Sequence, residues 1–207
     1  MMALDLDELR QRMNGTLSRH RYEHSESVAA YSVELARRWG VDEELAYEAG
    51  LLHDLMHYLQ PEEYLSWALV YGVRCDHAAL EDPQLLHGPL AAAVLEQDYY
   101  CDDPRLLEAV RCHTVPEPDM GDLAKIVFVA DMLEPTRPVW EGQEELRKLA
   151  LTYLDACVAG CLERTVAYLE SRGKTPHPDT ASLLEHYRAK ARAKNGAGAP
   201  RRAGGST

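Results

Sequence analysis

Apolar residues recur along this chain at the three- and four-residue spacing of helices, and no segment shows a convincing alternation typical of strands. Residues 28–39 follow the helical spacing, and Gly40 stands where that helix would end. Residues 125–129 (KIVFV) have strand propensity, but the helical spacing around them and the lack of a pairing strand favour a helix. The sequence therefore predicts an all-α fold.

Proline, glycine and acidic capping residues divide the remaining chain into further helices. Asp42 is a predicted N-cap, and loops are predicted over residues 73–82 and 116–118. The predicted helices comprise residues 43–56, 61–71, a segment from Pro83 or Pro89 to about 99, 104–111, 122–133, one or two helices within 144–171, and about 180–190.

The length of 207 residues suits one domain with a core of its own. We assign residues 1–190 to a single domain, because no linker or internal repeat interrupts them. Residues 191–207 are rich in Ala, Gly, Lys and Arg and offer little apolar surface to bury. This tail is predicted to be disordered.

Composition restricts the partners and the compartment. Acidic residues outnumber basic ones by 34 to 22, and the net charge of −12 argues against nucleic acid as a partner. No apolar run of about 18 residues would span a membrane, and the acidic start lacks the pattern of a signal peptide. Five cysteines without a C-x-x-C pair fit a reducing compartment, and Cys157 and Cys161 are predicted core residues. We expect a cytoplasmic protein.

Histidines and aspartates carry the strongest chemical signal, because imidazole and carboxylate groups are natural ligands of iron, manganese, cobalt and zinc. Asp131 follows an apolar run, where a buried carboxylate needs a partner. Such residues between helices can hold one or two metal ions, which activate water at neutral pH. The sequence therefore favours a metal-dependent hydrolase. The residues concerned are His24, His53, Asp54, His87, His113 and Asp131.

The neighbours His53 and Asp54 set a geometric condition on such a site. On a regular helix adjacent side chains point about 100° apart. Both can reach one ion only at a helix end, at a local distortion, or with the ion between their two directions. His57 fits either a surface or a site position. The remaining histidines in polar segments are interpreted as surface residues: His20, His77 and His186.

The order and flanks of these residues resemble the HD-domain phosphohydrolase superfamily, and within it the YqeK group of symmetrical bis(5′-nucleosyl)-tetraphosphatases. The resemblance covers residues 17–187, nearly all of the predicted domain. The segments that carry it are RYEH (21–24), GLLHD (50–54), LHGP (86–89), HT (113–114), ADMLEPTR (130–137), TVAYL (165–169) and HPDT (177–180).

The resemblance implies an HD-domain helical bundle with a metal site between helices. It implies hydrolysis of a small dinucleoside polyphosphate, diadenosine tetraphosphate, to two ADP molecules, with iron as the usual metal. The implied ligands are His24, His53, Asp54 and Asp131. The candidate catalytic residues are Asp54, His87 and His113. The two histidines among them would complete a second metal site or hold phosphate oxygens. The candidate substrate contacts are Arg21, His57, His87, His113, Thr114 and Arg137.

Two positions depart from the pattern of that group. Where the group usually has a lysine three residues after the His-Asp pair, this chain has His57. Its ordinary pKa of about 6.5 would make activity depend more on pH if it touches phosphate. After Thr114 the group favours a short glycine-containing turn, whereas this chain has VPEP at 115–118. The exact nucleotide is therefore left open.

Two other functions are also left open at this point. Another HD phosphohydrolase could act on a nucleoside monophosphate, a nucleoside triphosphate or a guanosine alarmone. A non-catalytic sensing module could bind a nucleotide without turning it over, although a complete set of ligands disfavours this. The apolar helices of the C-terminal third could serve a homodimer, but a role in the core is the default interpretation.

Overall fold

A computed structural model describes residues 4–197 of the chain, with side chains through residue 193. This part is helical and has no strand, and none of its helices is long and apolar enough to cross a membrane. A short 3₁₀ turn at Pro83–Leu86 precedes the helix that begins at His87. The helices are α1 Leu6–Thr16, α2 Arg19–Trp39, α3 Glu43–Leu52, α4 Pro61–Tyr71, α5 His77–Glu81, α6 His87–Asp98, α7 Pro104–Cys112, α8 Asp122–Leu133, α9 Gln143–Thr152, α10 Leu154–Ser171 and α11 Thr180–Ala197.

Local capping signals account for the helix ends that the sequence predicts well. Gly40 and Gly72 adopt left-handed φ values of 69° and 68°, which glycine reaches without steric cost, and they end α2 and α4. The Asp42 carboxylate accepts the backbone N–H groups of Glu44 and Leu45 and so begins α3. The predicted bounds of α8 are confirmed, so residues 125–129 are helical.

Other helix ends differ from the predictions. α3 ends at Leu52 and not near residue 56, because residues 53–56 form a turn. The predicted loop at 73–82 contains α5, which the Asp76 side chain caps. No helix was predicted for the segment of α1. The helix predicted to begin at Pro83 or Pro89 begins at His87, and α11 continues to Ala197. The rest of the predicted tail lies outside the described residues.

Helix α8 lies at the centre of the fold and brings Asp131 beside α2 and α3. Nine of its residues are buried, on all sides of the helix, as expected for a helix packed within a core. It contacts α2, α3, α7 and α10. Cys157 and Cys161 on α10 are buried, which confirms their prediction as core residues.

The contact between α2 and α3 is close because Gly50 has no side chain. A Cβ atom at this position would lie 2.8 Å from the Cα atom of Ala29 and 3.1 Å from its backbone nitrogen. Backbone atoms within a packed helix cannot move aside cheaply. The glycine therefore sets the spacing between α2, which carries His24, and α3, which His53 follows directly.

We expect Gly50→Ala to destabilise the protein by about 1–3 kcal/mol, the usual cost of overpacking a core. The matched control is Gly15→Ala, also within a helix, where an added Cβ meets nothing within 4 Å. It should be neutral or stabilising by up to about 1 kcal/mol. Urea unfolding followed by circular dichroism measures both, and equal midpoints for the two variants would contradict this account.

Candidate metal centre

Three of the candidate histidines lie where a helix or helical turn ends. His53 follows α3, His113 follows α7, and His87 follows the 3₁₀ turn and begins α6. The last carbonyl groups of a helix lack partners within it, and in each case a carbonyl three residues earlier accepts a hydrogen bond from the Nδ1 atom. These carbonyls belong to Gly50, Gln84 and Val110, at 2.7, 2.6 and 2.7 Å.

This hydrogen bond fixes the tautomer of all three rings. A carbonyl oxygen can only accept, so Nδ1 carries the hydrogen and Nε2 of a neutral ring offers a lone pair. The three Nε2 atoms face the Asp54 side chain at distances of 3.4–3.8 Å. The backbone at three helix ends thus orients three potential metal ligands toward one carboxylate.

His24 reaches the same place from α2 and is held by a different partner. Its Nδ1 lies 3.0 Å from Oε1 of Glu134, and its Nε2 lies 2.9 Å from Oδ1 of Asp131. Glu134 is itself fixed, because the Ser27 hydroxyl donates to its Oε2 at 2.6 Å and the Thr136 hydroxyl donates to its Oε1 at 2.8 Å. One carboxylate therefore lies beside each ring nitrogen of His24. A neutral imidazole has only one N–H to donate, so the second contact needs a cation between nitrogen and carboxylate or a second ring proton.

A first group of ligand atoms consists of His24, His53, Asp54 and Asp131. His53 Nε2 lies 3.4 Å from Asp54 Oδ2 and 3.8 Å from Asp131 Oδ1. The ring is fully buried, and its Nε2 has no hydrogen-bond partner among the described residues. A buried polar atom left unpaired costs about 1–3 kcal/mol, and a metal ion would remove that cost.

A second group surrounds the other oxygen of Asp54. Oδ1 lies 3.4 Å from His87 Nε2 and 3.8 Å from His113 Nε2, and these two nitrogens are 2.8 Å apart. Burial lowers the pKa of His113 to about 3 and also lowers that of His87, so both rings are neutral near pH 7. Their lone pairs face each other, and the single hydrogen of the Thr114 hydroxyl can satisfy only one of them.

The two central aspartates are charged in spite of their surroundings. Burial alone would raise the pKa of Asp54, but the neighbouring His53 and the other rings hold it well below its usual range. The pKa of Asp131 is lowered in the same way, against the effect of burial, by the hydrogen bond from His24 and by the charge of Arg137. His53 shows the reciprocal effect, because Asp54 outweighs burial and raises its pKa.

The residues present fit transition-metal ions. At metal–ligand distances of about 2.0–2.2 Å, neighbouring ligands of a tetrahedral or octahedral ion lie roughly 2.8–3.6 Å apart. The nitrogen–oxygen and nitrogen–nitrogen distances within the two groups run from 2.8 to 3.8 Å. Asp54 belongs to both groups through different oxygens.

Two arginines mark the side from which the centre can be reached. The His53 and Asp54 side chains are almost completely buried, whereas those of Asp131, Arg137 and Arg21 are 25%, 37% and 32% exposed. Arg137 donates to Asp131 Oδ1 at 2.6 Å, and Arg21 donates to Asp54 Oδ2 at 3.0 Å. This side, which we call the mouth of the metal centre, therefore carries two positively charged groups, Arg21 and Arg137, in an acidic protein.

His57 lies at the edge of the second group. Its half-buried ring meets the His87 ring with a centroid distance of 4.9 Å. Burial lowers the pKa of His57 to about 4. The ordinary value of about 6.5 used in the sequence analysis applies to a solvated imidazole. Near pH 7 this side chain is neutral and offers no charge to a phosphate.

A cleft of about 960 Å³ lies elsewhere, between α4, α6, α7 and α11. Arg74, Arg111 and His177 line it, and His177 pairs with Asp76 at 3.1 Å. The HPDT segment of the sequence therefore borders this cleft and does not reach the metal centre. None of the candidate ligands lines the cleft, so we place the chemistry at the histidine and aspartate groups.

The HD domain family matches residues 21–136, more than half of the chain. The chain belongs to the HD domain family. The match begins just before His24 and ends just after Glu134, so it contains every residue of both groups. The all-α fold and the recognition of the family from the sequence are thereby confirmed.

Curated relatives and a solved structure place this HD domain more narrowly. It is 32% identical over 164 residues to "Bis(5'-nucleosyl)-tetraphosphatase, symmetrical" of Bacillus subtilis (strain 168), covering 79% of this chain and 87% of the relative. The protein of the same name from Staphylococcus aureus (strain NCTC 8325 / PS 47) is 28% identical over 186 residues, with coverages of 89% and 95%. A structure from Clostridium acetobutylicum, described as a predicted HD superfamily hydrolase involved in NAD metabolism, has a TM-score of 0.86 and 28% identity, with coverages of 91% and 100%. The chain is an HD-domain hydrolase related to symmetrical tetraphosphatases.

The structure brings every predicted site residue of this HD domain into one cluster. Arg21, Thr114 and Arg137 border the cluster, and His57 lies at its edge. Sequence reasoning missed Glu134, although it was quoted as part of the ADMLEPTR segment. Its position between a buried helix and a proline was a signal of burial, but its partner His24 is distant in the sequence.

We expect Glu134→Gln to weaken metal binding by about 10–100-fold, the usual effect of losing the group that orients a histidine ligand. The amide would present a donor to the Thr136 N–H, which now donates to the carboxylate. Calorimetric titration of the metal-free protein with Co²⁺ measures the affinity. Glu145→Gln on the exposed face of α9 is the control, and unchanged affinity in both variants would contradict the role assigned to Glu134.

The metal-free protein should lose stability as the pH falls from about 6.5 to 4.5. The folded-state pKa values of His113, His57 and His87 are lowered, so the unfolded chain takes up protons in this window that the folded chain does not. The raised pKa of His53 has the opposite effect on stability, but it is one group, whereas three histidines have lowered pKa values. Asp54 and Asp131, whose pKa values are lowered, stay charged throughout the window.

The measurement is the urea midpoint of the metal-free protein across that pH range. His57→Asn should reduce the pH dependence, whereas His20→Asn, which removes an exposed imidazole, should not change it. A midpoint that stays constant or rises toward pH 4.5 would show that these three rings do not have lowered pKa values.

Proposed function

We propose that the chain is a metal-dependent phosphoanhydride hydrolase that cleaves diadenosine tetraphosphate symmetrically into two ADP molecules. The observation that carries the proposal is the Asp54 carboxylate, shared by two groups of imidazole ligands and approached by two arginines. The Bacillus subtilis and Staphylococcus aureus relatives, both named as symmetrical tetraphosphatases, support the substrate and the position of cleavage.

The proposed ligands of a first ion are His24, His53, Asp54 and Asp131. The second oxygen of Asp54 would hold a second ion together with His87 and His113. Iron is the proposed metal, and manganese, cobalt or zinc are substitutes, because imidazole and carboxylate accept all of them. A bound ion would supply a water nucleophile at neutral pH and would neutralise charge on phosphate oxygens.

The side chains at the mouth have the chemistry to bind and orient a polyphosphate. A guanidinium group has five N–H donors, and the contacts of Arg137 with Asp131 use its Nε and one terminal nitrogen. The remaining donors of Arg137, those of Arg21 and the Thr114 hydroxyl can bind phosphate oxygens. Held in this way, one of the two central phosphorus atoms would be presented to an attacking water on the side opposite the departing ADP.

The low pKa values of His87 and His113 bear on their role in the reaction. A general acid must carry a proton at the working pH, whereas burial keeps both of these rings neutral. This favours a ligand role over the alternative in which one of them protonates the leaving oxygen. Cleavage at the central bridge transfers the water oxygen to one ADP, and the bridging oxygen departs with the other.

The test is turnover of diadenosine tetraphosphate by iron- or manganese-loaded protein, with the products separated by ion exchange. We expect ADP as the sole product, and Asp54→Asn should lower kcat by about 10³-fold or more, because it disturbs both groups at once. The control is Asp119→Asn, which changes an exposed carboxylate paired with Lys190.

Other products would point to other functions. ATP with AMP would mean an asymmetric cut and would overturn the symmetrical assignment. No product from metal-loaded protein would move the assignment to another phosphate ester, which assays with a nucleoside monophosphate, a nucleoside triphosphate and a guanosine alarmone would identify. Binding of the dinucleotide without turnover would support the sensing module.

A further inference from the structure

His57 lies close enough to the second group to take part in it. Its backbone N–H donates to the Asp54 carbonyl at 2.9 Å. The two residues are therefore joined within one helical turn, three positions apart. Asp54, His57 and His87 each offer a ligand atom, and these atoms all lie within 4.8 Å of one another. Opposite ligands of one ion lie about 4.0–4.4 Å apart, so a shift of a few tenths of an ångström would bring all three to one ion.

The orientation of the rings agrees with a shared ion. The His57 and His87 rings meet at 64° and do not stack, so their nitrogens can converge on one point. His57 is half-buried, whereas His87 and His113 are buried, so its ring is more exposed to solvent than theirs.

We propose that His57 is a further ligand of the second metal ion, and that this ion is bound by three imidazoles and one carboxylate. The proposal rests on the metal centre of the proposed function and adds a residue that is not among its ligands. The donors would be His57, His87 and His113 with Asp54 Oδ1. The first ion, in contrast, would have two imidazoles and two carboxylates.

This difference in donors predicts a difference in metal preference. Magnesium prefers oxygen ligands and usually keeps several waters, whereas imidazole favours cobalt, zinc and iron. The second subsite should therefore bind Co²⁺ or Zn²⁺ in the presence of a large excess of Mg²⁺.

The test is the stoichiometry and affinity of Co²⁺ binding by the metal-free full chain. Calorimetric titration gives the affinities, elemental analysis after desalting gives the ions retained, and visible absorption reports the coordination of each cobalt. We expect two ions in the unchanged protein. His57→Leu should weaken the second ion by about 10–100-fold, alter its visible bands and leave the first ion unchanged.

Two further variants separate a ligand from a structural role. His57→Asp keeps a ligand group and should restore much of the second affinity, whereas His77→Ala removes an exposed imidazole on α5 and should change nothing. Because His57 is partly exposed, His57→Asn provides a second loss variant if His57→Leu does not fold, with circular dichroism to verify the fold.

The outcomes distinguish this inference from the proposed function. If the unchanged protein binds no cobalt, the metal centre itself is wrong, and the inference fails with it. If it binds two ions and both loss variants bind the second one equally well, His57 is not a ligand and the proposed function stands. A single ion in the unchanged protein would likewise overturn the inference and leave the first metal site intact.

Discussion

The buried charge of Asp54 is the constraint on which the rest of the site depends. Taking a carboxylate out of water costs several kcal/mol unless partners offset it. Arg21 at 3.0 Å and three imidazoles at 3.4–3.8 Å surround this one side chain, and its pKa is held well below the usual range. A carboxylate in this state can hold a cation on each oxygen, and the neighbouring helices are arranged around that possibility.

Helix ends connect the fold to the chemistry. A helix leaves its last carbonyl groups without partners, and the core would otherwise have to supply donors for them. Here the Nδ1 atoms of His53 and His113 supply donors for the carbonyls of Gly50 and Val110. The Nδ1 atom of His87 donates to the Gln84 carbonyl in addition to its own backbone N–H, and each ring leaves its Nε2 directed into the cluster. One hydrogen bond per histidine therefore satisfies the backbone and fixes the tautomer that a metal requires. The close contact of α2 with α3 at Gly50 then brings His24 within reach of the same centre.

A structural feature can be predicted from the sequence when the interactions that determine it join residues close together in the chain. Gly40, Asp42 and the bounds of α8 were predictable, because a cap depends on residues a few positions away. The end of α3 at Leu52 was not, because neither glycine nor proline marks it in the sequence.

Contacts between residues far apart in the chain could not be predicted from local sequence patterns. The histidines and aspartates of the sequence indicated six candidate ligands, and the resemblance to the HD-domain superfamily added the two arginines and Thr114. Neither could supply the bond between His24 and Glu134, which spans 110 residues, because no local pattern encodes it. The lowered pKa of His57 was equally out of reach, since burial is a property of the fold and not of the segment.

The two arginines at the mouth pair with carboxylates of the metal centre in a protein whose net charge is negative. Arg21 and Arg137 neutralise Asp54 and Asp131, the same carboxylates that a metal ion would bind. A bound cation and a guanidinium therefore compete for the same oxygens, and each weakens the other's hold on them. An arginine whose carboxylate is already neutralised has more of its charge available for a phosphate oxygen. In a chain of net charge −12, this coupling concentrates positive potential at the mouth when the centre is loaded.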